Sequence, residues 1–317
     1  MNRSNNNQKF STKKPVISVI IPVFNGAHFL EETVRWVQKS TYKRFEILLI
    51  DDGSTDHSKM ICKKLIEQYR NVRFYDFQRN RGLGRVLNFA LAKARGEFIC
   101  RINQDDRMHA DRIATQLRFF KNHQEVIAVG SYIRLFDTKG KTTIVRFLQR
   151  DADIKRIWHV LSPFADPSVM YRKNVAIAIG GYKQEYWPAD DTQLWIRMGM
   201  AGKLANIGRP LVDVRYHNDA ASIQYFRKLA IVTYKMHRWM HEYVASASIP
   251  VQMFWFLELI AGLVFSPHVN WTVYRTIKKI LYAAKVFIDR LRRFHLNVAI
   301  KTKRVIPQPI MLSRSGQ

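Results

Sequence analysis

Short apolar runs that alternate with stretches of helical periodicity, and stop at polar or acidic clusters, constrain this chain's fold more than any other feature. Val16-Ile17-Ser18-Val19-Ile20-Ile21-Pro22-Val23 is a continuous run rich in β-branched residues, the pattern of a strand buried on both faces. Phe45 to Ile50 reads as a second buried strand, Val72 to Phe77 as a third strand and Glu97 to Ile102 as a fourth. Between them, apolar positions from Phe29 to Val37 and from Leu83 to Ala94 recur at helical spacing, and another helix is expected from about Asp111 to Lys121. The alternation predicts an α/β fold, a mostly parallel sheet flanked by helices. In an open sheet of this kind ligands bind outside the carboxyl ends of the strands, so the residues that stop each run matter most.

Four clusters fall at or near such ends. Pro22-Val23-Phe24-Asn25 closes the first strand, and Asp51-Asp52-Gly53-Ser54 closes the second, with Ser54 or Asp56 able to cap the next helix. Asp105 and Asp106 follow the strand of residues 97–102, and Asp190-Asp191 opens a helix expected to reach Met200. Adjacent carboxylates repel unless a cation or a set of donors holds them. A hard divalent ion fits such a pair and commonly carries substrate phosphates too. Asp is also favoured at helix starts, so the pair at 105–106 by itself suits a metal site or a helix cap equally. A carboxylate near the first two clusters can accept a ribose hydroxyl. An acid at 190–191 can serve as general base or as ordinary helix-start charge.

Beyond Gly130 the pattern loosens. Short strands are expected around Tyr132–Phe136, Thr143–Leu148, Ser168–Tyr171 and Leu211–Tyr216, with a helix from Ala152 to Leu161. From Tyr225 onward the chain reads helical and basic. Residues 226–317 hold fifteen Lys and Arg against Glu242, Glu258 and Asp289. Ile249 to Pro267 carries one charge, and Trp271 to Phe294 has the pattern of a basic amphipathic helix, a type that lies in membrane interfaces. Both segments also fit soluble helices packed on the preceding domain. The whole chain has a formal charge of +27, which calls for an anionic partner such as nucleic acid, a membrane face or a phosphorylated substrate. With 47% hydrophobic residues the chain can bury a core, which excludes wholesale disorder. Cys62 and Cys100 are too few for a disulfide framework and favour a reducing, cytosolic setting. Residues 1–14 are polar and basic without an apolar stretch, which predicts a disordered lead rather than a signal peptide.

The runs Val19-Ile20-Ile21-Pro22-Val23-Phe24-Asn25-Gly26 and Ile50-Asp51-Asp52-Gly53-Ser54-Thr55-Asp56 resemble the opening of family 2 glycosyltransferases with the GT-A fold. Asn80-Arg81-Gly82-Leu83, Arg101-Ile102-Asn103-Gln104-Asp105-Asp106, Pro167-Ser168-Val169-Met170, Gly180-Gly181-Tyr182, Asp190-Asp191 and Arg215-Tyr216-His217 continue the match in order, over about residues 16 to 220. The resemblance implies a Rossmann-like nucleotide-binding half within a GT-A domain at 15–224, followed by a helical, basic region at 225–317. It also implies inverting transfer of a sugar from a nucleotide-sugar donor to a hydroxyl of a glycan or lipid-linked glycan of the cell envelope. Carried over, Pro22, Val23 and Asn25 would line the nucleoside pocket and Asp52 would hold the base. Asp105 would be the acidic member of the metal motif with Asp106 beside it, for Mg2+ or Mn2+, and His217 would sit near the metal or the diphosphate. Asp191 would be the catalytic base, with Asp190 beside it. Arg81 and Arg101 would meet phosphate oxygens or form ordinary ion pairs.

Three positions depart from the family pattern. Asn103 stands where the first Asp of the metal motif is usual, and its amide can still meet a ribose hydroxyl. Asp190 replaces the more usual Glu, and Asp166 stands where a His is common. Gly82-Leu83-Gly84 lacks the third glycine of a dinucleotide fingerprint, and His237 with His241 lacks a zinc-protease pattern. The expected location is cytoplasmic, peripheral on the inner face of an anionic membrane, with no specific nucleic acid partner. The alternative is a nucleic-acid or anionic-surface binding protein on a catalytically silent GT-A fold.

Overall fold

A computed structural model describes residues 16–137, 140–217 and 221–266, together with Val269 and Thr276. The expected disordered lead at 1–14 and the expected basic helix at 271–294, Thr276 apart, lie outside the described residues. In chain order the elements are β1 (Ile17–Val23), α1 (Leu30–Gln38), β2 (Phe45–Asp51), α2 (Ser58–Gln68), β3 (Val72–Asp76), α3 (Leu83–Lys93) and β4 (Phe98–Arg101). Then come β5 (Arg107–Met108), α4 (Arg112–Asn122), β6 (Val126–Phe136), β7 (Thr142–Val145), α5 (Asp151–Ile157), β8 (Met170–Arg172) and α6 (Lys173–Ala178). The described chain closes with α7 (Asp190–Ala201), β9 (Lys203–Arg215), α8 (Ala221–Gln224), α9 (Phe226–Tyr243) and α10 (Ile249–Val264).

One sheet runs in the order β3-β2-β1-β4-β8-β6-β9-β5, with β7 beside β6. The strands β3, β2, β1 and β4 are mutually parallel, as the alternation of apolar runs and helical stretches predicts. Beyond β4 the sheet is mixed, because β8 pairs antiparallel with both β4 and β6 while β6 and β9 run parallel. Every residue of β2 is buried, and Ile17, Val19 and Ile21 of β1 pack in one cluster with Leu30, Val34 and Val37 of α1. Burying an Ile or Leu side chain contributes about 1.5–3 kcal/mol, so this cluster contributes substantially to the stability of the parallel half.

A buried polar link fixes the register of β1 against β4. Ser18 Oγ donates to Glu46 Oε1 at 2.7 Å and accepts the Gly96 N–H at 2.8 Å. A Cβ on Gly96 would sit 2.5 Å from the Ser18 nitrogen, so the backbones approach too closely for any side chain. With β1 paired to β2 and β4, the ends at Val23, Asp51 and Arg101 open along one edge of the sheet.

Two expectations are corrected. The strand expected around Tyr132–Phe136 is the second half of a longer one, since β6 runs 11 residues from Val126 to Phe136. The last strand starts at Lys203 rather than Leu211, giving β9 13 residues. Gly208 and Pro210 disguise its first half, and the register between β6 and β9 shifts at Ser131–Ile133. A bulge of this kind breaks the period-2 pattern by which strands are recognised.

Internal contacts divide the chain into two compact units, one ending at Thr233 and one beginning at Tyr234. In the second, the His237 ring stacks on Trp255 with centroids 4.8 Å apart. Among the described residues no helix is long and apolar enough to cross a membrane.

Candidate active site

The first two loops lock onto each other. Asn25 has φ +49, a left-handed conformation that Asn tolerates better than most residues. Its N–H donates to Ser54 Oγ at 2.9 Å, and its Oδ1 accepts the Thr55 N–H at 2.9 Å. Ser54 therefore serves Asn25 rather than capping α2, and Asp56 accepts the Ser58 N–H at 2.9 Å. Val23 is buried in the core, so it meets a ligand only through its backbone, whose carbonyl already accepts the Asp52 N–H at 2.8 Å. Pro22 is half-buried beside it.

Asp52 faces the loop before α3. One carboxylate oxygen accepts the Arg81 N–H at 2.7 Å and the other the Gly82 N–H at 3.0 Å. Burial pushes this carboxyl up, against the two N–H donors that favour its charged form. Gly82 has φ +91, and a Cβ there would lie 2.3 Å from Gln184 Nε2, so the loop needs glycine. The Arg81 guanidinium lies 4.3 Å from the Phe77 ring centroid. With Arg79, Asn80 and Arg85 it lines a cavity of about 440 Å³. The sequence reading singled out Arg81 alone, although the Arg79-Asn80-Arg81 and Arg85 spacing on a loop and first helical turn was visible.

At the end of β4 the two aspartates part ways. Asp105 is half-buried, and its Oδ2 lies 2.7 Å from His217 Nε2. Asp106 is 1% exposed. Its Oδ1 accepts the Arg215 N–H at 3.0 Å, and its Oδ2 accepts from Asn103 Nδ2 at 3.0 Å. Burial, and then the neighbouring Asp105 charge, push Asp106 well above the usual carboxylate range. Asp106, expected beside Asp105 toward a metal, has its side chain turned inward, where it ties the loop after β4 to β9. Asn103 is also turned inward, between Asp106 and Arg101, rather than free for a ribose hydroxyl.

Residues the sequence reading passed over hold this loop. Gln104 clamps the Phe24 backbone, accepting its N–H at 2.9 Å and donating to its carbonyl at 3.0 Å. Thr33 Oγ1 donates to the Gln104 and Asp106 carbonyls at 2.8 and 2.9 Å. The Arg215 guanidinium donates to the Asp105 carbonyl at 3.1 Å and to Glu32 Oε2 at 2.9 Å, beside the Phe29 and Phe136 rings. No local sequence signal marks these residues, because their partners are up to 183 positions away.

The fourth cluster meets Arg101. Arg101 is buried, and its Nε lies 3.2 Å from Asp166 Oδ2. Of the two expectations for this residue, the ion pair is the one observed. Asp190 and Asp191 open α7 within the field of Asp166 and Arg101. Burial, with Asp166 next, pushes Asp190 up to about 7. Burial, Asp166 and Asp190 together push Asp191 well above the carboxylate range. Asp191 remains half-buried at the surface, where its Oδ1 accepts the Thr192 N–H at 2.6 Å.

A sequence model of "Glycosyl transferase family 2" matches residues 18–181, more than half of the chain. The chain belongs to glycosyl transferase family 2. It is therefore a glycosyltransferase. It is 27% identical over 217 residues to an Escherichia coli UDP-Gal:alpha-D-GlcNAc-diphosphoundecaprenol beta-1,3-galactosyltransferase, covering 67% of this chain and 78% of that protein. Among solved structures it resembles Staphylococcus aureus TarS 1-349 in complex with UDP-GlcNAc, with a TM-score of 0.60, 17% identity and coverage of 81% and 75%. It also resembles the mannosyltransferase PcManGT of Pyrobaculum calidifontis in complex with GDP-Man and Mn2+, with a TM-score of 0.56, 19% identity and coverage of 87% and 76%. These two likenesses bear out the GT-A fold expected of the family 2 glycosyltransferase.

Proposed function

We propose that this family 2 glycosyltransferase moves a sugar from a nucleoside diphosphate sugar to a hydroxyl of a lipid-linked glycan, with inversion at the anomeric carbon. The observation that carries the reading is the 2.7 Å contact of Asp105 with His217 at the carboxyl end of β4, beside the Asp52 loop. A carboxylate and an imidazole in contact fit one edge of a divalent ion, which takes few protein ligands when phosphates and waters complete its shell. Asp105 and His217 would hold that ion, Mg2+ or Mn2+, and it would offset negative charge gathering on the leaving diphosphate. Asp106 would support from behind rather than bind it.

The protein's own groups supply the rest. The Asp52 carboxylate, keeping lone pairs beyond its two backbone bonds, would take the base. The backbone at Pro22, Val23 and Asn25 would border the nucleoside. Arg79, Arg81 and Arg85 line the adjacent cavity, and guanidinium groups pair well with phosphate oxygens. Asp191 would accept the proton of the acceptor hydroxyl. Its Oδ1 is held by the Thr192 N–H, and its raised proton affinity makes it a stronger base once ionised. Attack from the face opposite the diphosphate inverts the configuration.

We read the acceptor as lipid-linked because the E. coli relative's name gives it such a substrate, and because the second unit has a surface suited to lipid. Ile249, Met253, Phe256, Leu257, Ile260 and Val264 of α10 are all exposed, and their spacing places them on one helical face. The fifteen basic residues of 226–317, against three acids, select an anionic membrane face as the occupant.

The test is a nucleotide-release assay over UDP-galactose, UDP-GlcNAc and GDP-mannose, with and without Mn2+ or Mg2+. At least one donor should be turned over, and EDTA should remove the activity. Asp191→Asn should lower kcat by about a hundredfold or more while the circular dichroism melt is unchanged. Survival of activity in Asp191→Asn would dismiss this base assignment.

A further inference from the structure

Asn103 and Asp166, the two departures that flank the metal motif and its neighbouring strand, meet at one guanidinium. Arg101 Nη1 donates to the Ile102 carbonyl at 2.5 Å, and Nη2 donates to Asn103 Oδ1 at 2.9 Å. Its Nε lies 3.2 Å from Asp166 Oδ2. Among the described residues, Asp166 is the one carboxylate at ion-pair distance from this buried cation. Asn103 carries the chain of bonds onward, because its Nδ2 donates to Asp106 Oδ2 at 3.0 Å.

The amide accepts from Arg101 on one side while donating to Asp106 on the other, which an ionised carboxylate cannot do. An ionised carboxylate at 103 would accept from Arg101 but would bring no donor to Asp106 Oδ2. An amide there leaves Arg101 without a local counter-charge, and a buried cation without one is costly. Asp166 reaches it across the β4–β8 pair, from the 3-10 turn Asp166–Ser168. That turn is anchored independently of Arg101, since Arg112 and Gln116 donate to the carbonyls of Pro167 and Ser168.

We propose that Asp166 balances Arg101 in place of residue 103, so that positions 103 and 166 form one coupled unit that positions the Asp105–Asp106 loop. Asp166 is a positioning residue in this scheme. The Arg101–Asp166 pair also bears on Asp190 and Asp191 of α7, which lie within its field. That last consequence rests on the reading of Asp191 as base.

The test is a double-mutant cycle on the full chain. Asp166→Asn and Asn103→Asp each change charge with little change of shape, so their coupling reports electrostatics. Thermal midpoints near neutral pH are compared for the wild type, both single variants and the Asn103→Asp/Asp166→Asn double variant. The expected result is that Asp166→Asn lowers the midpoint less in the Asn103→Asp background than in the native one. If a single variant fails to fold, the double variant should fold. Equal or larger loss in the Asn103→Asp background overturns the proposal, as does a double variant that unfolds where either single variant folds.

Turnover of the donor found in the panel above gives a readout that a purely structural role would not move. Asp166→Asn should lower kcat about tenfold with donor KM nearly unchanged, and adding Asn103→Asp should restore most of it. An unchanged kcat in Asp166→Asn overturns the positioning role. If no sugar nucleotide is turned over, the catalytic reading fails, while the melting cycle still decides the charge coupling.

Discussion

Asp190 and Asp191 are consecutive on α7, yet their surroundings separate them. Asp190 is buried at 2% exposure, and its Oδ2 has no hydrogen-bond partner among the described residues. Burial is the main reason its proton is held up to about 7, with the Asp166 charge second. An unfolded Asp titrates near 3.9. Between those values the folded chain keeps a proton that the unfolded chain has lost. The stabilising contribution is therefore full below about pH 4 and disappears as pH rises through about 7. Asp190→Asn should flatten the fall of the thermal midpoint between these limits, as read by circular dichroism melts across the range. A slope equal to the wild type's would mean that Asp190 ionises in the fold as easily as in water. The sequence shows two acids at a helix start, and the difference between them comes from what β4 and the turn at 166 place against each.

At the scale of elements, α4 does more than cover the sheet. Arg112, fully buried at its first turn, donates to the carbonyls of Pro167 at 2.8 Å, Arg101 at 2.9 Å and Val169 at 3.1 Å. Its Nε donates to Gln116 Oε1 at 3.0 Å, and Gln116 in turn donates to the Val129 and Ser168 carbonyls at 3.0 and 2.9 Å. One helix thus joins β4, β6 and the turn before β8 through side chains that donate to their main-chain carbonyls. Arg112→Met keeps the length and removes every donor, orphaning the Pro167 and Arg101 carbonyls at about 1 kcal/mol or more each, while the Val169 carbonyl keeps the Arg101 N–H at 2.9 Å. The expected cost is about 2 kcal/mol or more, seen as a lower urea midpoint with an unchanged m-value. A loss below about 1 kcal/mol would show that water replaces the guanidinium. From the sequence, Arg112 reads as a charge at the start of an amphipathic helix, because nothing local marks carbonyls 11 to 57 positions away.

At the scale of the molecule, the excess of 27 positive charges acts through its distribution. The apolar face of α10 carries no Lys or Arg of its own, so lipid contact and charge attraction would come from different segments. Both terms should show in sedimentation with vesicles. The full chain should bind vesicles rich in anionic lipid and release as salt rises, because exposed charges are screened within about 8–10 Å. Replacing Leu257 and Val264, which are 62% and 67% exposed, with Glu should weaken binding by about tenfold or more, since each loses apolar contact and adds repulsion. Binding unchanged by both substitutions would remove α10 from the membrane reading.

The order of strands and helices through β4 and the edge on which the site opens were legible in the chain itself. A parallel strand buried on both faces must be continuously apolar, and it must stop where the polar site begins. The family was legible for the same reason, since its motifs are those stopping points. Tertiary structure decided which side chains face the crevice. Asp105 and Asp106 are equivalent as letters, but they follow a strand end whose successive side chains take different directions, so Asp105 meets His217 while Asp106 is enclosed by Arg215 and Asn103. Pairings such as Arg101 with Asp166 and Arg215 with Glu32 join positions 65 and 183 apart. Charge balance across such distances is set by the packing of the sheet, and no local pattern in the chain encodes it.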